Sequence, residues 1–180
     1  MLMQTNENVR TRNAAAAAAI VVAAGGAGAM LVAYFFQYVL KYLPCPLCLD
    51  QRVAYYVGIP LAVLIAIAAW RQAPRVLVML GFVALTLAML SGAVVAAYHA
   101  GVEWHWWAGP QDCSGNALAP SGNLLEQLNT VRIVRCDEAP WRLFGLSLAG
   151  YNVPVSLALA AVALWGLRAS IGYGSSSVSQ

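Results

Sequence analysis

The chain has 180 residues, 61% of them hydrophobic and only 9% charged, with a mean hydropathy of +0.68. That composition excludes an ordinary soluble domain and describes a polytopic membrane protein. The net charge of +3 is spread thinly over 10 basic and 7 acidic side chains. No Lys/Arg run builds a phosphate-binding footprint, which argues against nucleic acid as a partner.

Four stretches approach the ~20 apolar residues that a spanning helix needs: about 14–40, 53–70, 76–98 and 143–167. Unpaired backbone groups are costly in hydrocarbon, so each stretch is predicted to be helical, with Pro60, Asn152 and Pro154 turned toward neighbouring helices. The expected fold is all-α: one membrane domain over residues 1–180, a four-helix bundle with external loops at about 41–52 and 99–142. The first stretch follows Arg10 and Arg12 like a signal peptide, but its apolar run continues through Phe35, Phe36 and Leu40, beyond the ~7–15 residues of a signal core. It reads as a retained span. Gly25 and Ala29 within it suit close helix packing.

Arg10, Arg12, Arg71, Arg75 and Arg168 fall on one side of this topology, and Lys41, Arg52, Arg132, Arg135 and Arg142 on the other. The raw count ties. The first group crowds short segments with Glu7 as its one acid, while the second shares a longer stretch with six acids, so basic density puts both termini in the cytoplasm.

Helix parity then places all four cysteines on the outer face, Cys45 and Cys48 in the first loop and Cys113 and Cys136 in the second. An even number on that face fits an oxidising compartment. Two inert structural disulfides are one reading. Against it, a two-residue spacing makes a small ring suited to exchange, whereas stabilisation by crosslinking grows with loop length.

The first pair lies in the run Cys45-Pro46-Leu47-Cys48-Leu49-Asp50-Gln51-Arg52. Cys48 falls just before or within the first turn of the second helix, where free N–H groups and the helix dipole favour an anion. Arg52, four residues on, shares its face one turn deeper, able to stabilise a thiolate and to bind the oxygen of an electron acceptor. The competing role is an arginine snorkelling to headgroups. Pro44 and Pro46 bias the backbone around Cys45 toward extended geometry and expose the sulfurs. Leu49 stands where c-type haem attachment requires histidine.

Between Cys113 and Cys136, Ser121 is placed to cap a short helix whose Leu124, Leu125, Leu128 and Val131 share one face, which reads as an interfacial helix. Trp104, Trp106, Trp107 and Trp141 fit an interfacial aromatic belt.

The Cys-Pro-Leu-Cys-Leu-Asp-Gln-Arg run after a first span, the second loop with Cys113 and Cys136, and Pro140-Trp141-Arg142 with Gly145 before the last span resemble the bacterial disulfide-bond formation protein B (DsbB) family. The resemblance implies a protein-dithiol:quinone oxidoreductase of the bacterial inner membrane. Its partner would be a DsbA-like periplasmic protein of thioredoxin fold, and its cofactor ubiquinone or menaquinone. The resemblance also implies the DsbA to DsbB to quinone route known for that family.

In that route the partner attacks at Cys113, Cys136 resolves the adduct by exchange with Cys45, and Cys48 is freed as a thiolate toward quinone with Arg52 assisting. Gln37 and His99 match family positions near the quinone head, with His105 competing for the second role. No metal is expected. A strongly oxidising dithiol near about −120 mV needs a still stronger terminal oxidant, which a bilayer quinone supplies. No flavin or dinucleotide glycine fingerprint offers another electron sink. Two other classes stand beside this one: a membrane scaffold with structural disulfides, and a metal-binding protein using four cysteines. The 22 residues between Cys113 and Cys136 weaken the second, because zinc sites usually pair short knuckles.

Overall fold

The computed structural model describes residues 2–110, 113 and 135–172. Four long helices account for most of them: α1 (Leu2–Tyr34), α2 (Pro46–Trp70), α3 (Arg75–Glu103) and α4 (Leu148–Ile171). Each is long and apolar enough to cross a membrane, by length and composition. At about 1.5 Å per residue, even the shortest exceeds a ~30 Å hydrocarbon core.

The helices pack as a ring, α1 against α2 and α4, and α3 against α2 and α4. Val22, Val78, Phe82, Leu85 and Met89 fill its fully buried centre, while Leu64, Leu80, Val94 and Leu157 stay exposed on the outside. Outward leucines and valines are what a bilayer solvent permits. Small residues bring helices close: a Cβ added at Gly25 would meet Leu159 Cδ2 at 2.7 Å. Close backbone approach is the usual route to helix association in lipid.

Three boundaries differ from the sequence reading. α2 starts at Pro46 rather than near 53, because Cys45 caps it: its Sγ accepts from the Cys48 N–H at 3.2 Å, and Pro46 at the first position has no N–H to lose. α3 continues to Glu103 and carries His99 inside a helix. α4 begins at Leu148, not near 143, since Arg142–Leu143 (β1) and Leu146–Ser147 (β2) form an antiparallel hairpin. Phe144 and Gly145 turn it with φ of 48° and 83°, the left-handed pair that a two-residue hairpin requires. The Ser147 hydroxyl then caps α4 by accepting from Gly150 N–H at 3.0 Å.

Pro60 and Pro154 are a further correction. Both lie on exposed faces of their helices rather than against neighbours. A proline ring is apolar and lacks a polar N–H, so lipid accepts it without an unmet donor. Asn152, which cannot face lipid so cheaply, is partly buried and bonded to α2. The short helix expected from Ser121 lies outside the described residues.

Between α1 and α2 the chain adds one π-helical turn, Phe35–Val39, which carries Gln37. Such turns widen a helix locally and recur at functional sites.

Candidate functional site

All four cysteines gather at one end of the bundle. Cys45, Leu47, Val102, Cys113 and Cys136 form a single buried cluster with Cys48 packed against it, so Cys45, which the flanking prolines were expected to expose, is instead covered. Cys113 and Cys136 are joined by a disulfide, and Cys45 and Cys48 are free thiols. The expected meeting of the two pairs is therefore a direct packing contact. A hydrogen bond to the Cys48 sulfur, together with burial, pushes the Cys45 thiol up from its ordinary range.

Beside the cluster a cavity of about 400 Å³ opens between α1, α2 and α4, lined by both apolar and polar groups. Ala29, Ala33, Phe36 and Val155 give it apolar walls, and Cys48, Arg52, Gln37 and His99 line it too. A four-residue step along α2 puts Cys48 and Arg52 on this one face.

Arg52 is buried, with 9% of its surface exposed. Its Nη1 donates to Gln37 Oε1 at 2.6 Å, and its guanidinium carbon sits 5.5 Å from the centre of the Tyr34 ring. The charge is held by one amide and one aromatic face, with no carboxylate among the described ion pairs of this site. Such a cation keeps its attraction for a developing negative charge in the cavity.

His99 stands between the thiols and the rest of the polar network. Its Nε2 lies 3.7 Å from Cys45 Sγ and 3.9 Å from Glu103 Oε1, and its Nδ1 lies 2.6 Å from Gln51 Nε2. Glu103, one turn along α3, is also buried; Ser147 donates to its carboxylate and Arg142 donates to its backbone oxygen at 3.3 Å. The β1–β2 hairpin thus fixes the end of α3 on which His99 sits.

The sequence model of the family described as "Disulfide bond formation protein DsbB" matches residues 15–166, most of the chain. The chain belongs to the DsbB family. It is accordingly a multi-pass membrane protein of disulfide-bond formation with an oxidoreductase's thiol chemistry. It is also similar to "Uncharacterized protein RP370" of Rickettsia prowazekii (strain Madrid E), 25% identical over 135 residues that cover 73% of this chain and 75% of that one. No solved structure matches it.

Cys48, Arg52, Gln37 and His99, the residues matched to DsbB quinone positions, all line the one cavity. His105, the rival for the histidine role, is exposed and not among the lining residues. Sequence reasoning gave no role to Gln51, Tyr55, Ser156 or Glu103, and read Asn152 only as facing a helix. The available signal was a polar or acidic side chain inside or at the edge of an apolar span, which is costly unless partnered. Gln51 and Tyr55 are one turn apart on α2, and Asn152 and Ser156 one turn apart on α4.

A four-thiolate metal site does not fit this arrangement, because the Cys113–Cys136 disulfide removes two of the sulfurs. The donor atoms of Cys45, Cys48 and His99 do lie within 4.8 Å of one another, a set that would suit a thiophilic cation. A metal there would need the lone pair of His99 Nε2, the nitrogen opposite the one that faces Gln51 Nε2 at 2.6 Å.

Proposed function

We propose that this DsbB-family protein is a dithiol:quinone oxidoreductase that reoxidises a DsbA-like periplasmic protein at the inner membrane. The observation that carries the reading is the shared buried cluster of both cysteine pairs, with Cys48 of one pair opening onto the Arg52 cavity.

The relay balances as four exchanges. A reduced partner dithiol attacks the Cys113–Cys136 disulfide at Cys113, so a partner–Cys113 mixed disulfide forms and Cys136 leaves as a thiolate. Cys136 then attacks Cys45 of an oxidised Cys45–Cys48 pair, a Cys45–Cys136 bond forms and Cys48 leaves as a thiolate. The partner's second thiolate closes the partner's own disulfide and releases Cys113, and Cys113 attacks Cys136, restores the Cys113–Cys136 disulfide and releases Cys45.

The cavity residues fit a quinone: apolar walls for its ring and tail, and Arg52, Gln37 and His99 as polar groups for its oxygens. A bound quinone would accept two electrons and two protons, leaving as quinol. Arg52 would hold negative charge on Cys48 and on the acceptor oxygen, preorganised by Gln37 and Tyr34 so that little rearrangement is needed. The cysteine end would face the periplasm, with both termini cytoplasmic.

The test is reduction of added ubiquinone or menaquinone analogue by purified protein supplied with a reduced thioredoxin-fold dithiol protein. Quinol formation requiring Cys48 supports the reading. Thiol exchange without quinol would favour a scaffold with structural disulfides.

A further inference from the structure

Six side chains on three helices and the cap of α2 make one hydrogen-bonded file that ends at the Cys45 sulfur. Ser156 Oγ lies 3.0 Å from the Tyr55 hydroxyl, and Tyr55 donates to Asn152 Oδ1 at 2.5 Å. Asn152 Nδ2 donates to Gln51 Oε1 at 2.7 Å. Gln51 Nε2 sits 2.6 Å from His99 Nδ1, and His99 Nε2 sits 3.7 Å from Cys45 Sγ.

An amide has a donor end and an acceptor end, so one fixed bond sets the direction of all that follow. Tyr55 gives its proton to Asn152, so Ser156 must give its own to Tyr55. Asn152 then has only its NH₂ group to offer Gln51, and Gln51 only its NH₂ group to offer Nδ1. The neutral imidazole is left with its hydrogen on Nε2, the nitrogen that lies 3.7 Å from the Cys45 sulfur and 3.9 Å from Glu103 Oε1. Gln51, Tyr55, His99 and Ser156 are all buried, so a reversed member would leave two donors or two acceptors facing each other out of water.

We propose that Asn152, acting through Gln51, is a positioning residue that holds His99 in its Nε2–H tautomer, keeping an N–H donor on the Cys45 sulfur during thiol exchange. The inference rests on the relay proposed above and deepens it. It concerns the step in which Cys113 attacks Cys136. A Cys113–Cys136 bond forms, the Cys45–Cys136 bond breaks, and the electron pair goes to Cys45 Sγ with no proton transfer. A leaving thiolate departs faster when its charge is stabilised, and the Nε2–H group supplies that hydrogen bond in a buried site.

The experiment uses full-length protein in nanodiscs, labelled with ¹⁵N-histidine. A His105→Asn background leaves one ring, and asparagine tolerates the left-handed backbone at that position (φ 60°). The ¹⁵N shifts identify the protonated nitrogen. Asn152→Asp keeps the size and removes the donor; Gln51→Glu removes the donor facing the ring and is the second variant should the first fold poorly.

The expected result is hydrogen on Nε2 in the parent and on Nδ1 in both variants. Release of Cys45 from a Cys45–Cys136 disulfide, followed by acid quench and alkylation without quinone, should slow by roughly tenfold in the variants, the size of one hydrogen bond. Hydrogen on Nδ1 in the parent, an unmoved hydrogen in the variants, or a moved hydrogen with unchanged release each overturns the proposal. A parent protein that exchanges thiols normally but yields no quinol overturns the quinone reading alone, because the release assay contains none.

Discussion

Arg52 on α2 donates a 2.6 Å hydrogen bond to Gln37 in the π-helical turn that ends the first span, so the cation of the cavity is positioned by a different helix from its own. Gln37→Leu should leave the charge present but unaimed, and Arg52→Met should remove it. Losing a hydrogen bond to a charged group is worth about 1.5–3 kcal/mol, roughly ten- to hundredfold in rate. Steady-state quinone titration should show a raised KM for Gln37→Leu and both a raised KM and a lowered kcat for Arg52→Met, with disulfide exchange at Cys113 intact. Near-normal quinone kinetics in Arg52→Met would reduce Arg52 to a packing role.

The order of attack in the relay has its own test. With Cys136→Ser, Cys113 has no partner within the chain, so the mixed disulfide it forms by attacking an oxidised thioredoxin-fold partner should accumulate on non-reducing gels. Cys113→Ser should trap far less. Equal trapping by the two variants would reverse the assignment.

Cys45 sets a pH dependence. In the reduced protein its thiol is pushed up, first by the hydrogen bond to Cys48 and then by burial. It should stay protonated through pH values at which an ordinary cysteine, near about 8.5, ionises. Alkylation of Cys45 followed by mass spectrometry should give a midpoint above that value, and Cys48→Ala should bring it down. The sign for stability follows from the folded thiol holding its proton longer than the unfolded one: the contribution is complete below the unfolded pKa and is lost as pH rises above it. Thermal stability of the reduced protein should therefore decline on the alkaline side, and that decline should weaken in Cys45→Ala.

Trp107 tests the interfacial end of α3. A Cβ at Gly101 would run into the Trp107 ring, which also stacks on Tyr98 and donates from Nε1 to the Tyr98 carbonyl at 3.0 Å. Gly101→Ala should expel the indole, shift its fluorescence and cost about 1–3 kcal/mol of stability. An unchanged emission spectrum and melting temperature would show that the ring does not rest there.

The four helices and the grouping of cysteines were legible in the sequence because both follow from counting: apolar runs set the spans, and parity assigns the loops. Cys48 and Arg52 were legible as a pair because their four-residue spacing lies within one helix. The Gln51–Asn152 bond was not, since its partners are 101 residues apart and no periodicity reports which faces of α2 and α4 meet. The helix starts moved for local reasons, a cysteine cap before Pro46 and a hairpin before Leu148, that hydropathy does not register. Pro60 and Pro154 misled because proline reads as a helix breaker, whereas its ring is apolar enough for the outer face.

The most direct measurement is a quinone-reduction assay in nanodiscs: wild-type protein, a reduced DsbA-like dithiol protein and a soluble ubiquinone or menaquinone analogue, followed by ultraviolet absorbance. One quinol is expected for each partner disulfide formed, with no quinol from Cys48→Ser although that variant still forms the adduct at Cys113. Partner oxidation without stoichiometric quinol, or quinol formation that persists without Cys48, would contradict it.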